Sequence, residues 1–286
     1  MWIVFAFTSL VFLSARNLLT KFNVSNTNAF VSMWYTFLFQ IPLGLLAVLI
    51  TGIQIASPSF YYLVLLRVIL DIVAFIFFFK ALQLSKLSLI IPFMSLLPGL
   101  TIFTSFFING QAIEPLRLLI ILVIAISCYA IFKTSNGVAH TSDDKRGVVY
   151  ILLVIVLYSI LSPLHAEIIK ISSPFTYFFI SSIYFIVIWS LVIFLKFKKE
   201  LFESFKNSKG ILLNGANGVI LSLEVLSLFL ALAPGSITSV VTAIRTTDTA
   251  VSSVVGGVLF KEHITPKKVI LIGVIFISVL LLVFTK

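Results

Sequence analysis

The stretch FLALAPGSITSVVTAIRTTDTAVSSVVGGVLFKEHITPKKVILIGVIFISVLLLVF, from Phe229 to Phe284, is two apolar segments joined by a basic turn. The first segment carries Arg245 and Asp248 near its middle and stops at Lys261-Glu262-His263. Pro266 opens the second. The same arrangement occurs earlier, between Lys80 and Phe132, as KALQLSKLSLIIPFMSLLPGLTIFTSFFINGQAIEPLRLLIILVIAISCYAIF. Ala81-Leu82 answers Ala231-Leu232, Gln111 answers Glu262, and Ile113-x-Pro115 answers Ile264-x-Pro266, an offset of 150 to 151 residues. That offset is close to half of the 286-residue chain. A weak internal duplication in an apolar chain is the mark of a transporter fold assembled from structural repeats.

Composition points to a membrane in the same way. Hydrophobic residues make up 60% of the chain and charged ones 10%, with a mean hydropathy of +1.19. Soluble domains carry roughly 25% charge. The net charge of +10 would suggest nucleic acid in a soluble protein. Here the basic residues crowd the loops of one membrane face, so no nucleic-acid partner is expected. The single cysteine, Cys128, lies in an apolar run, and His140, His165 and His263 share no ligand spacing, so no metal site or disulfide framework is expected. Met1 leads into an apolar segment without a basic n-region, which reads as a retained first helix.

Ten apolar stretches are each long enough to cross a hydrocarbon core about 30 Å thick. They run over residues 2–20, 29–50, 60–79, 87–108 and 116–132, and then 147–165, 175–195, 210–232, 236–260 and 268–284. The expectation is an all-α polytopic membrane protein of two five-helix repeats, residues 1–133 and 147–286, joined by a linker at 134–146. An odd number of spans per repeat makes the second run opposite to the first, so the repeat is inverted. Loops after odd-numbered spans hold fourteen lysines and arginines, against Arg117, Lys170 and Lys286 on the other side. The positive-inside rule puts the basic side in the cytoplasm and both termini outside.

Charged side chains inside spans need partners or a function, because each costs at least about 2.5–3.5 kcal/mol at mid-membrane. Arg67 and Asp71 stand at i, i+4, and Arg245 and Asp248 at i, i+3, so each pair shares a helix face. They either neutralise one another or present a guanidinium to a carboxylate or phosphate of a substrate. Glu224 has no basic neighbour on its own helix and suits a proton-coupling role, unless it pairs with Arg67 or Arg245. The repeat offset brings Asp71 and Glu224 to equivalent helices, and Asn217 lies two turns before Glu224. Pro92, Pro98 and Pro163 remove backbone donors inside spans, which either kinks the helices for packing or breaks them along a substrate path. Thr246, Thr247, Thr249, Ser252 and Ser253 beside Gly256-Gly257 suit close helix contacts. Tyr61, Tyr62, Trp34 and Trp189 suit interfacial belts, the two tryptophans also a position deep enough to face a cavity. The basic loop from Lys196 to Lys209 suits a solvated cytoplasmic segment resting on anionic lipid.

In Phe79-Lys80-Ala81-Leu82-Gln83-Leu84-Ser85, Pro92 and Pro98 the chain resembles the EamA family of the drug/metabolite transporter superfamily. The second half carries the resemblance in Ala243-Ile244-Arg245-Thr246-Thr247, Gly256-Gly257, Leu259-Phe260-Lys261-Glu262, Pro266 and Gly273. The resemblance implies ten helices in an inverted repeat, a cavity framed by helices 3, 4, 8 and 9, and movement of metabolites, amino acids or drugs. Gln111 departs from the family's usual glutamate, and Asp248 from its usual apolar residue or proline. Members are commonly drawn with cytoplasmic termini, against the charge count of this chain.

No phosphate-binding lysine motif, zinc-protease motif or nucleophile elbow occurs, so no enzyme activity and no cofactor are expected. The function expected is secondary transport of a small polar metabolite, amino acid or related organic anion, by export or exchange with proton coupling. Arg67, Asp71, Glu224, Arg245, Asp248 and Asn217 are its candidate binding residues, with Glu224 and Asp71 as proton carriers. Efflux of lipophilic cations and a passive channel are the alternatives. The expected partners are a small-molecule substrate and the bilayer of a cell membrane, for a monomer or homodimer.

Overall fold

The computed structural model describes residues 1–24, 28–85, 90–134, 142–248 and 266–284. His140, Thr249, Ser252, Ser253, Gly256-Gly257, the Leu259–Glu262 motif and His263 lie outside the described residues, as does most of the expected linker. The helices are α1 (Trp2–Val24), α2 (Ala29–Leu38), α3 (Gln40–Thr51), α4 (Ser59–Leu84), α5 (Leu97–Asn109) and α6 (Pro115–Thr134). They continue with α7 (Ser142–Lys170), α8 (Pro174–Lys196), α9 (Lys198–Ser204), α10 (Ser208–Ala231), α11 (Thr238–Thr246) and α12 (Pro266–Phe284). Among the described residues there is no strand, only an isolated antiparallel bridge between Ile55 and Ser172.

Helix lies at all ten apolar stretches, within the described residues of each. Five segments are long and apolar enough to cross a membrane: Phe30–Thr51, Ser59–Leu84, Ser142–Lys170, Pro174–Lys196 and Ser208–Ala231. Four more apolar helices are shorter, at Trp2–Asn17, Phe93–Asn109, Pro115–Ser127 and Val269–Leu281.

Prolines set the interruptions by removing N–H donors. Pro42 cannot bond the carbonyl of Leu38, and α2 gives way to α3 there, at Phe39, whose N–H turns back to Tyr35. Pro98 cannot reach the carbonyl of Met94. The Leu97 N–H takes that carbonyl instead, and Ile91–Leu96, with Pro92 near its start, is a 3-10 turn leading into α5. The described part of the fourth stretch is therefore a 3-10 turn followed by α5 rather than one continuous α-helix.

Pro163 behaves differently. Helix α7 runs unbroken through it, from Ser142 to Lys170, so the linker's last five residues are helix rather than loop. Asp143 and Asp144 in its first turn and Lys170 in its last complement the helix dipole. The carbonyl that Pro163 deprives is that of Ser159, and the hydroxyl of Thr104 on α5 donates to it. One turn further along, Asn109 Nδ2 donates to the carbonyl of Pro163 at 3.2 Å. Packing thus satisfies this proline. Thr104→Val is expected to destabilise by about 1–2 kcal/mol, the usual cost of orphaning a buried carbonyl. Pro163→Ala in the same chain restores the helical donor and most of the loss, read by thermal unfolding of the two variants in detergent.

The chain forms two compact units, which cut across the division into sequence repeats. One unit comprises Met1–Ile72 and Glu167–Pro234, the other Val73–Ala166 and Gly235–Lys286. The boundaries at Ile72 and Ala166 fall inside α4 and α7.

The first unit has an aromatic core. Tyr177 stacks on Phe229 at 4.3 Å and Phe37 on Phe185 at 4.5 Å, with Trp189 edge-on to Phe37. Helices α2 and α3, the second span, pack along α8, the seventh. A Cβ on Gly44 would lie 3.2 Å from the Phe179 backbone, which is how closely α3 and α8 approach. At one end of this unit the α3–α4 loop pairs with the α7–α8 loop, Ala56 N–H to Ile171 O at 2.8 Å. The other end joins Tyr35 to Ser204 at 3.0 Å and stacks Phe30 on Phe197.

The second unit has an aliphatic core of Ile90, Ile120, Ile124, Ile151, Val154, Ile155, Ile272, Ile275 and Val279. Here α5 packs on α11 and α6 on α12, so the fourth span meets the ninth and the fifth meets the tenth. Ser85, after the third span, donates to the carbonyl of Asp144, before the sixth. Gln111, after the fourth, donates to Thr238, at the start of the ninth.

Candidate functional site: the polar face of α10

Helix α10 is a long apolar helix that buries a file of polar residues. Asn214, Asn217 and Glu224 recur at three and then seven residues, which keeps them on one face. Gly215 and Gly218 on that side let α2 and its C-terminal turn approach. A Cβ on Gly218 would fall 2.7 Å from the carbonyl of Thr36. At that close approach the Ser32 hydroxyl donates to Asn214 Oδ1, and Asn217 Nδ2 donates to the Thr36 hydroxyl at 3.5 Å. The partners rise together along the two helices, so α2 and α10 run parallel.

Glu224 completes the file. Its carboxylate accepts from the Arg16 guanidinium of α1 at 2.9 Å, and the Ser9 hydroxyl donates to its backbone carbonyl. The Glu224 side chain is 1% exposed, whereas that of Arg16 keeps 22%. Arg16 Nη2 also lies 3.5 Å from Asn17 Oδ1. The sequence reading weighed Arg67 and Arg245 as partners for Glu224 and missed Arg16. The signal for it was present, since Arg16 is itself an arginine within an apolar span, the first.

The expected pair of Arg67 and Asp71 forms, at 2.7 Å, with both side chains more than nine-tenths buried. Three rings surround the guanidinium carbon: Phe185 at 4.9 Å, and Tyr177 and Phe229 each at 5.8 Å. Such a cage compensates a buried cation from the sides while the carboxylate does so end-on. Arg67 is therefore enclosed by its own unit rather than presented to a ligand. Trp189, fully buried, donates its indole N–H to the carbonyl of Phe30 at 3.0 Å. It belongs to the core and not to an interfacial belt. Trp34 is half-buried and donates to Ser190 at 2.8 Å. Tyr61 and Tyr62 are exposed, as a belt requires.

In the second unit Arg245 is half-buried near the end of α11, whose other residues from Ser239 onward are buried. Asp248 follows one turn later and is 5% exposed. Among the described residues no three His, Cys, Asp or Glu side chains gather as a metal site would need.

Neither a family model nor a curated protein matches this sequence. Among solved structures the chain is similar to one described as "Crystal structure of protein". The identity is 15% and the TM-score 0.68, over 96% of this chain and 94% of that one. At that identity the likeness is one of fold, extending over nearly the whole length of both chains.

Proposed function

We propose that the chain is a secondary transporter of the EamA kind, with ten spans in two inverted five-helix repeats, moving a small polar metabolite, amino acid or related organic anion across a cell membrane. The observation that carries the reading is the Arg16–Glu224 pair, a carboxylate sealed inside an apolar helix bundle and bound to a cation that keeps one side open. An intramembrane ion pair of that kind belongs to a substrate or proton path more often than to a scaffold. Spans five apart pack together, the second with the seventh, the fourth with the ninth and the fifth with the tenth, which supports the repeat. Loops of like parity meet one another, which supports the alternation of the spans and termini on a single face.

In this reading Glu224 carries the proton and Arg16 the anion. A proton on Glu224 releases the guanidinium, which then donates two hydrogen bonds to the substrate carboxylate in a bidentate grip. Asn217, on the same face of α10, orients the substrate's polar end. Arg67 and Asp71 hold the helices of their unit, and Arg245 with Asp248 is a separate candidate for anion contact. Efflux of lipophilic cations is less favoured, because Glu224 and Asp71 are each already bound to an arginine.

Uptake of a pooled panel of labelled metabolites into proteoliposomes, with and without an imposed pH gradient, tests the proposal. The expected result is accumulation of an organic anion that collapses when the gradient is dissipated, and that Glu224→Gln reduces to simple equilibration. Equilibration in the parent protein, unchanged by the gradient, would mean a facilitator and remove Glu224 from the coupling.

A further inference from the structure

The basic segment after α8 is more than a solvated loop. Helix α8 ends its apolar run at Lys196, and α9 begins two residues later. Leu201 on α9 is 2% exposed, and Ser204 bonds Tyr35, so one side of this short helix is fixed to the body of its unit. The opposite side holds Lys198, Lys199, Phe202 and Glu203, spaced by three and four residues into one stripe, which Lys206 continues in the turn after the helix. These five residues line an open recess. Phe202 is 54% exposed, and Leu195 at the end of α8 is 82% exposed. Lys196 and Lys209 flank the stripe and are exposed as well.

We infer that this recess is a binding site for an anionic phospholipid headgroup, with Phe202 entering the acyl boundary beside it. The inference rests on the membrane reading and not on transport. Three observations select the lipid. Lys198, Lys199 and Lys206 all line one recess, where the single acid, Glu203, lies 4.0 Å from the Lys199 ammonium. An aromatic ring, Phe202, stands exposed among them. The stripe also begins where a helix apolar enough to cross a membrane stops, which is headgroup depth. Residues 196–209 carry five lysines against Glu200 and Glu203.

Each lysine near an anionic surface strengthens binding roughly fivefold, so the three lining the recess are worth on the order of a hundredfold. The experiment titrates the full chain in detergent with phosphatidylglycerol or phosphatidylcholine and counts the lipid retained by native mass spectrometry. The parent protein is expected to prefer phosphatidylglycerol. Lys198→Gln, Lys199→Gln and Lys206→Gln together should weaken phosphatidylglycerol by about that factor and leave phosphatidylcholine unchanged. Phe202→Ala should weaken both lipids. Equal retention of the two lipids by the parent, or a preference that survives the triple substitution, overturns the site. Incorporation of the same protein into phosphatidylcholine vesicles separates the two readings, because failure there would reject the membrane reading itself.

Discussion

Arg16→Gln is expected to destabilise the protein by about 3–5 kcal/mol, the usual cost of stripping the cation from a buried carboxylate. The effect is expected to be unequal between the partners. Glu224 is 1% exposed and cannot reach water, whereas Arg16 retains 22% exposure and has Asn17 beside it. Glu224→Gln should therefore cost only about 1–2 kcal/mol, as for a lost charge-assisted hydrogen bond whose surviving member remains solvated. Replacing both leaves two neutral amides facing each other across α1 and α10. That double variant should be more stable than Arg16→Gln alone, with a coupling of about 2 kcal/mol or more in the cycle. Equilibrium unfolding in mixed micelles gives all four stabilities. Additive losses would mean that the contact contributes nothing of its own, and would weaken its assignment as the coupling pair.

What the sequence made legible follows from how local each signal is. Hydropathy located the long apolar helices, because a span must be apolar along its own length whatever it packs against, but it missed α9, which lies in the stretch read as a basic loop. The break at Pro98 was legible for the same reason, since the missing donor and the 3-10 bond that replaces it lie within four residues. Pro163 carries the identical local signal with the opposite outcome, because the compensating hydroxyl belongs to Thr104, 55 residues from the carbonyl it serves. The pairing of Arg67 with Asp71 was legible as an i, i+4 step, but its aromatic cage was not, since Tyr177, Phe185 and Phe229 come from two other helices. Glu224 showed its need for a cation, yet the partner sits 208 residues away, in a span that looked unremarkable apart from Arg16-Asn17. The compact units were hidden for a related reason. Two of their three boundaries fall within α4 and α7, where the sequence has neither a loop nor a change in composition, and only the third, at Pro234-Gly235, lies in a turn.

Arg67→Met alone is expected to cost about 3–5 kcal/mol, because Asp71 is then left charged inside the helix bundle. Adding Asp71→Leu should recover nearly all of it, to within about 1 kcal/mol of the parent, since apolar replacements of similar volume are often neutral at buried ion pairs. In a membrane the exchange also removes two charges whose insertion each costs about 2.5–3.5 kcal/mol. Arg67→Lys should not be conservative. A compact ammonium has neither the planar face that lies 4.9 Å from Phe185 nor the reach to hold Asp71 from within three rings, so a loss of about 2 kcal/mol is expected. If the chain is the transporter proposed above, transport by the double variant then separates the two roles first considered for this pair. If Arg67 and Asp71 only neutralise each other, Arg67→Met/Asp71→Leu folds and transports with the affinity of the parent, and that is the outcome the enclosed geometry favours. A folded double variant that no longer binds its anion would instead return Arg67 to the substrate path, and would require the cage to open during the transport cycle.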